Sequence, residues 1–142
     1  MIHKETYKVS IIIPCYNEKK TIKEILKKIY QNLKNYEISK YEIIIVDDFS
    51  NDGTKEILED LIKKENVKIF FHDTNLGKGA AIHTALRYIT GEIIIIQDAD
   101  LEYSPENYYD LLQPILNKKA DVVYGNRFAK SKPFHVYSLI HL

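Results

Sequence analysis

Two aspartates separated by a single alanine, Asp98 and Asp100, follow directly on the run Ile93-Ile-Ile-Ile-Gln97. Four consecutive isoleucines read as a strand buried on both faces. The two carboxylates would then lie where that strand ends, at the rim of a sheet, and repel each other unless something positive sits between them. A divalent cation carrying a phosphorylated ligand meets that need, because Mg2+ is typically held by one or two carboxylates with phosphate oxygens filling other positions. A lone D-x-D is also common in solvated turns, and the place of this pair at a strand end is what favours the chemical reading. Glu102 reads equally as a further ligand or as a solvated carboxylate.

Other polar clusters share this placement. Val9-Ser-Ile-Ile-Ile13 is stopped by Pro14 and followed by Cys15-Tyr-Asn-Glu18, where Tyr16 offers a face for stacking on a base and Glu18 offers a polar anchor or a cap for the next helix. Glu42-Ile-Ile-Ile-Val-Asp-Asp48 ends in two acids. One suits the turn Ser50-Asn-Asp-Gly-Thr54; the other, for which Asp47 is favoured, suits a base N–H or a ribose hydroxyl. Asn75-Leu-Gly-Lys-Gly79 lacks the G-x-x-x-x-G-K-[ST] spacing of a nucleotide-triphosphate loop. Its glycines read as a turn that lets the next helix approach the sheet, with Lys78 a candidate for meeting a diphosphate. Arg127 carries the planar fork that holds phosphate bidentately. The five histidines show no metal-ligand spacing, and Cys15 has no neighbouring base, so it reads as a small loop residue rather than a nucleophile.

The elements that must position these groups alternate. Apolar runs at 9–13, 42–48, 67–71, 92–97 and 121–124 read as five strands. Between them, Ile22, Ile25, Leu26, Ile29 and Leu33 mark an amphipathic helix, with Thr21-Ile-Lys-Glu24 at capping-box spacing. Ile57, Leu58, Leu61 and Ile62 mark a second helix, and Ala80, Ala81, Ala85, Leu86 and Ile89 a third. Ser104-Pro105 opens a fourth, which Pro114 should kink or split. The alternation predicts an α/β domain, a mainly parallel sheet with helices on both faces. Ligands of such sheets bind beyond the carboxyl ends of the strands, where every polar cluster above falls.

The 142 residues amount to one ordinary domain, 1–142, with 129–142 a tail of no clear period. With 45% hydrophobic and 28% charged residues the chain is globular rather than disordered, and its zero net charge gives no support to nucleic-acid binding. One cysteine excludes an internal disulfide. No apolar run approaches the roughly 20 residues of a membrane span, and the start lacks a signal-peptide apolar segment. A cytoplasmic chain, at most peripheral to a membrane's cytoplasmic face, is expected. A dinucleotide-dependent enzyme is disfavoured, because Pro14-Cys-Tyr-Asn17 stands where the glycine fingerprint belongs.

Taken in order, Ile11-Ile-Ile-Pro-Cys-Tyr-Asn-Glu18, Ile45-Val-Asp-Asp-Phe-Ser-Asn-Asp-Gly-Thr54, Asn75-Leu-Gly-Lys-Gly-Ala-Ala81, Gln97-Asp-Ala-Asp-Leu-Glu102 with Pro105-Glu106, and Val122-Val-Tyr-Gly-Asn-Arg-Phe128 resemble glycosyltransferase family 2. Within it they are most similar to the dolichyl-phosphate mannose synthase and polyprenyl-phosphate sugar transferase branch. The resemblance implies an A-type glycosyltransferase fold and a nucleotide-sugar donor of UDP or GDP type. It implies inversion by direct displacement, Mg2+ or Mn2+ on the donor diphosphate, and a polyprenyl or dolichyl phosphate acceptor. Pro14, Tyr16, Glu18 and Asp47 match nucleoside-contacting positions, Asp98 and Asp100 the metal–diphosphate motif, Glu102 a further metal ligand, and Arg127 the arginine that meets the acceptor phosphate. Two departures stand out: Asn126 where many members have Ser, and Ala129-Lys-Ser-Lys-Pro133 after the arginine. The family's domain normally continues further, so the chain reads as the truncated, N-terminal nucleotide-sugar-binding portion. A catalytically incomplete binding fragment or partner subunit is the alternative.

Overall fold

The computed structural model describes residues 7–64 and 67–125. Two compact units divide the chain, 1–108 and 109–142. The first runs β1 (Val9–Cys15), α1 (Ile22–Asn35), β2 (Tyr41–Asp47), α2 (Thr54–Lys64), β3 (Lys68–Phe71), α3 (Lys78–Leu86) and β4 (Ile93–Ile96). A 3-10 turn at Pro105–Asn107 then leads into α4 (Tyr108–Leu116), across which the unit boundary falls.

All strand pairs are parallel, in the order β3-β2-β1-β4. β1 and β2 are buried along almost their whole length, because both faces of these central strands are covered and β-branched side chains suit a pleated, enclosed surface. Each fully buried isoleucine there contributes roughly 1.5–3 kcal/mol relative to exposure. The chain runs from β1 through α1 and α2 out to β3, then through α3 back across to β4, since parallel neighbours need crossover connections. α3 packs on Ile12, Ile44 and Val46 through Ala81 and Ala85, whose small side chains let the helix lie close to the sheet.

The strand order reverses between β1 and β4, and the carboxyl ends of strands at such a switch point are where these sheets bind ligands. β4 corrects the expectation of a strand buried on both faces. Ile93 and Ile95 are buried, but Ile94 and Ile96 are 40% and 52% exposed, because β4 is the edge of the described sheet. No fifth strand forms at 121–124. These residues are irregular, and Val122 and Tyr124 are exposed. A short apolar run becomes a strand only where a neighbouring backbone pairs with it.

Three local expectations are sharpened. Thr21 does start α1, but its hydroxyl donates to Glu18 (2.6 Å) and makes no capping bond to the helix. Ser104 caps as expected, accepting from the Glu106 amide at 3.3 Å, though the turn it opens is 3-10. α4 runs through Pro114 without a break. It ends at Leu116; just beyond, Lys118 turns the chain (φ 56°) and the Pro114 carbonyl accepts from the Lys119 and Ala120 amides.

Candidate functional site

Four loops at the carboxyl rim of the sheet carry the candidate residues, and buried polar side chains set the shape of each. After β1 and β2 the two loops are laced together. Asp48 N–H donates to the Cys15 carbonyl, Asn17 N–H to Ser50 Oγ (2.8 Å), Asn51 N–H to Asn17 Oδ1 (2.9 Å), and Lys19 N–H to Asp52 (3.3 Å). Asp52 also accepts from the amide and hydroxyl of Thr54, putting negative charge at the start of α2. Gly53 (φ +99°) makes the turn, in a conformation that residues with a side chain rarely adopt. Asn17, Phe49 and Leu101 also have positive φ, one beyond each of β1, β2 and β4. Such outliers concentrate where a loop is shaped for a ligand rather than for its own comfort.

Both acids that end β2 are buried and engaged. Asp47 accepts from the Ser50 amide (3.1 Å) and hydroxyl (2.5 Å), so it is itself the turn-forming acid, and its carboxylate keeps further acceptor sites. Asp48 accepts from the consecutive amides of Leu76 (2.8 Å) and Gly77 (2.7 Å) and pairs with His72 Nδ1 (2.7 Å). Burial opposes its charge, but the two amides and the His72 ring outweigh that and hold its carboxyl below the ordinary value. His72 Nε2 in turn meets Thr84 Oγ1 on α3 at 2.8 Å.

The loop that Asp48 fixes delivers Lys78, the first residue of α3, whose ammonium pairs with Asp98 Oδ1 at 2.5 Å. On the other side of this contact, Gln97 is buried and ties down the loop after β4. Its amide donates to the carbonyls of Asp98 (3.0 Å) and Tyr103 (2.8 Å), and its oxygen accepts from the buried Tyr108 hydroxyl (2.9 Å). Ala99 turns inward, leaving Asp98 half-buried and Asp100 exposed; the Glu102 amide donates to Asp100 Oδ1 (3.0 Å).

The structure therefore brings Lys78 and Asp98 together and sets Asp100 on the same short loop. Tyr16, 47% exposed, stands on the β1 loop, and Pro14 is buried within β1. Glu18 is spent at the start of α1, where it takes the Thr21 hydroxyl. Arg127 and Asn126 lie outside the described residues. Among the described residues no three His, Cys, Asp or Glu side chains converge as a cation cage. The donor set present is a partly buried Asp98, paired with Lys78, and an exposed Asp100, which fits a cation shared with phosphate oxygens rather than one enclosed by protein. Cys15 is buried, and burial, reinforced by Asp47, Glu18 and Asp52, pushes its thiol far above the ordinary range. Such burial disfavours the thiolate that a nucleophile needs.

The family model for glycosyl transferase family 2 matches residues 10–142. The chain belongs to glycosyltransferase family 2. It is 34% identical over 123 residues to dolichol-phosphate mannosyltransferase of Pyrococcus furiosus, covering 87% of this chain and 34% of the relative. It is 33% identical over 128 residues to undecaprenyl-phosphate 4-deoxy-4-formamido-L-arabinose transferase of Pseudomonas fluorescens, covering 82% and 37%. The chain thus spans about a third of the length of these relatives. Among solved structures it is similar to the mannosyltransferase PcManGT of Pyrobaculum calidifontis in complex with GDP-Man and Mn2+, with a TM-score of 0.63 and 33% identity over 72% of this chain and 30% of that one. S. aureus TarS 1-349 in complex with UDP-GlcNAc gives 0.62 and 29%, over 78% and 31%. The fold of the family 2 chain is accordingly the A-type glycosyltransferase fold, its parallel sheet flanked by helices.

Proposed function

We propose that this chain is the N-terminal, nucleotide-sugar-binding portion of an inverting family 2 glycosyltransferase. It moves a sugar from a UDP- or GDP-linked donor to a polyprenyl or dolichyl phosphate, at the cytoplasmic face of a membrane. The observation that carries this reading is the Lys78–Asp98 contact beside Asp100, at the switch point between β1 and β4. There Asp98 and Asp100 would hold a divalent cation, and the Lys78 ammonium would stand beside it to meet the same diphosphate. The named activities of the similar proteins, and the GDP-Man and Mn2+ of one solved relative, support it.

The roles follow from chemistry. Asp98 and Asp100 hold Mg2+ or Mn2+ against the donor diphosphate, with Glu102 a further candidate. A divalent cation, when bound, stabilises the charge that builds on the leaving nucleoside diphosphate. Lys78 adds a second positive charge to that end of the donor. Tyr16 stacks on the base, and Asp47, with an acceptor site free beyond Ser50, takes a base N–H or ribose hydroxyl. A phosphate acceptor has a second pKa of about 6, so at neutral pH it is largely ionised and needs positioning more than deprotonation. Arg127 is assigned that task. Attack on the face opposite the leaving group inverts the anomeric carbon.

The test is transfer of sugar from a panel of UDP- and GDP-sugars to a polyprenyl phosphate with Mn2+. Metal-dependent product of inverted configuration is expected. Donor binding without any product would instead favour a binding fragment or partner subunit.

A further inference from the structure

Asp48 and His72 have no part in the roles just assigned, yet they form an enclosed polar pair at the rim, with side chains 4% and 8% exposed. Their partners span three elements. Asp48 extends β2, His72 follows the last residue of β3, and Thr84 lies in the body of α3. His72 Nδ1 faces the carboxylate and donates to it, while Nε2 meets the Thr84 hydroxyl. Asp48 uses one oxygen on the Leu76 amide and the other on the Gly77 amide, while its backbone carbonyl accepts from Asn75 Nδ2 (3.2 Å). The loop before α3 is thus held at three consecutive residues by a single aspartate.

What this loop delivers is Lys78. The lysine side chain is 57% exposed and gains little rigidity from packing, so the backbone behind it sets where its ammonium can reach. Gly77, at φ +94° and just before α3, is where the chain turns from the Asp48 anchor to the lysine. We propose that Asp48 and His72 are positioning residues for donor binding, holding the Leu76–Gly77 backbone so that Lys78 stands at the diphosphate end of the site. The role rests on the proposed function. It concerns the phosphate end of the donor alone, because the Asp48 carboxylate holds the Leu76–Gly77 backbone, whereas Tyr16 lies on the β1 loop and the Asp47 carboxylate is engaged by Ser50.

The experiment is a double-mutant cycle read by titration with UDP, GDP, uridine and guanosine in the presence of Mn2+. Asp48→Asn cannot accept from both amides. It is expected to weaken diphosphate binding on the order of tenfold while leaving nucleoside binding unchanged, which a general loss of structure would not do. In a Lys78→Met background the same change should add little, because the residue it acts through is gone. Additive losses, or equal losses for nucleoside and diphosphate, overturn the proposal. Should Asp48→Asn fail to fold, His72→Ala and His72→Asn decide it. Asn places an amide N–H where the ring Nδ1 donates, so His72→Asn should recover the diphosphate affinity that His72→Ala loses; equal behaviour of the two overturns it. If the unaltered chain binds neither UDP nor GDP, the proposed function falls and the positioning role with it. If it binds and the cycle is additive, only the positioning role falls.

Discussion

Two buried carboxylates stand on β2 at opposite ends of the sheet, Glu42 at its start and Asp48 just beyond its finish. Glu42 accepts from Ser10 Oγ (2.6 Å), from the amide and hydroxyl of Thr90 (2.5 and 3.1 Å) and from Lys68 Nζ (2.8 Å), with Lys8 at 3.6 Å. Its partners come from β1, β3 and the turn before β4, so it staples the strand starts together. Asp48 is satisfied just as fully, but mainly by amides of a loop that carries a lysine toward Asp98. One end of the sheet spends its buried charge on holding strands. The other spends it on shaping loops. The contrast separates what keeps the protein folded from what makes it bind.

The largest effect should come from the stapled end. Glu42→Ala leaves the Ser10 hydroxyl, the Thr90 amide and a lysine without their acceptor, and should cost about 2–3 kcal/mol in urea unfolding. Nucleotide affinity per folded molecule should be unchanged. The charge of Glu42 is opposed by burial, yet hydrogen bonds from Lys68, Ser10 and Thr90 outweigh that and bring its pKa from 4.5 to about 2. A carboxyl depressed on folding stabilises above its unfolded pKa, and that stability is lost as pH falls through the folded value. Melting temperature should therefore fall between pH 4.5 and about 2, and Glu42→Gln should flatten this slope.

Gly91→Ala comes next. Its new Cβ would lie 2.6 Å from the Lys8 carbonyl and 2.9 Å from the Ser10 amide, both backbone, at the same stapled end. A cost of about 1–3 kcal/mol is expected from overpacking, visible as a lowered unfolding midpoint with the binding site untouched. At the rim the balance inverts. Asp100 is exposed, so Asp100→Ala should change stability by less than about 0.5 kcal/mol yet abolish the effect of Mn2+ on nucleotide affinity. A large stability loss from Asp100→Ala, or a large binding loss from Glu42→Ala, would break the division between the two ends.

Much of this division was legible in the residue order. Isoleucine and valine runs gave β1 and β2 directly, and polar residues after each run marked the rim, because a chain leaving a buried strand must satisfy its backbone at once. The stapled end was not legible, since Glu42 resembles any acid that opens a strand until Lys68 and Thr90 are brought beside it by parallel pairing. The Asp48–His72 contact was hidden for the same reason. β2 and β3 pair Asp47 with Phe71, which makes Asp48 and His72 the next residues out on adjacent strands. That register is fixed only once the sheet assembles. With it in hand, an acid and a histidine one residue past paired strand ends would have been the signal. The expectation for 121–124 failed because apolar content alone does not supply a pairing partner.

Isothermal titration of the chain with UDP and with GDP, once with Mn2+ and once with chelator, tests the central claim most directly. Binding of at least one nucleotide, markedly tighter with Mn2+ and losing that difference in Asp100→Ala, is the predicted result. Equal affinity with and without the metal, or no binding of either nucleotide, would contradict the assignment of Asp98 and Asp100 to a metal–diphosphate site.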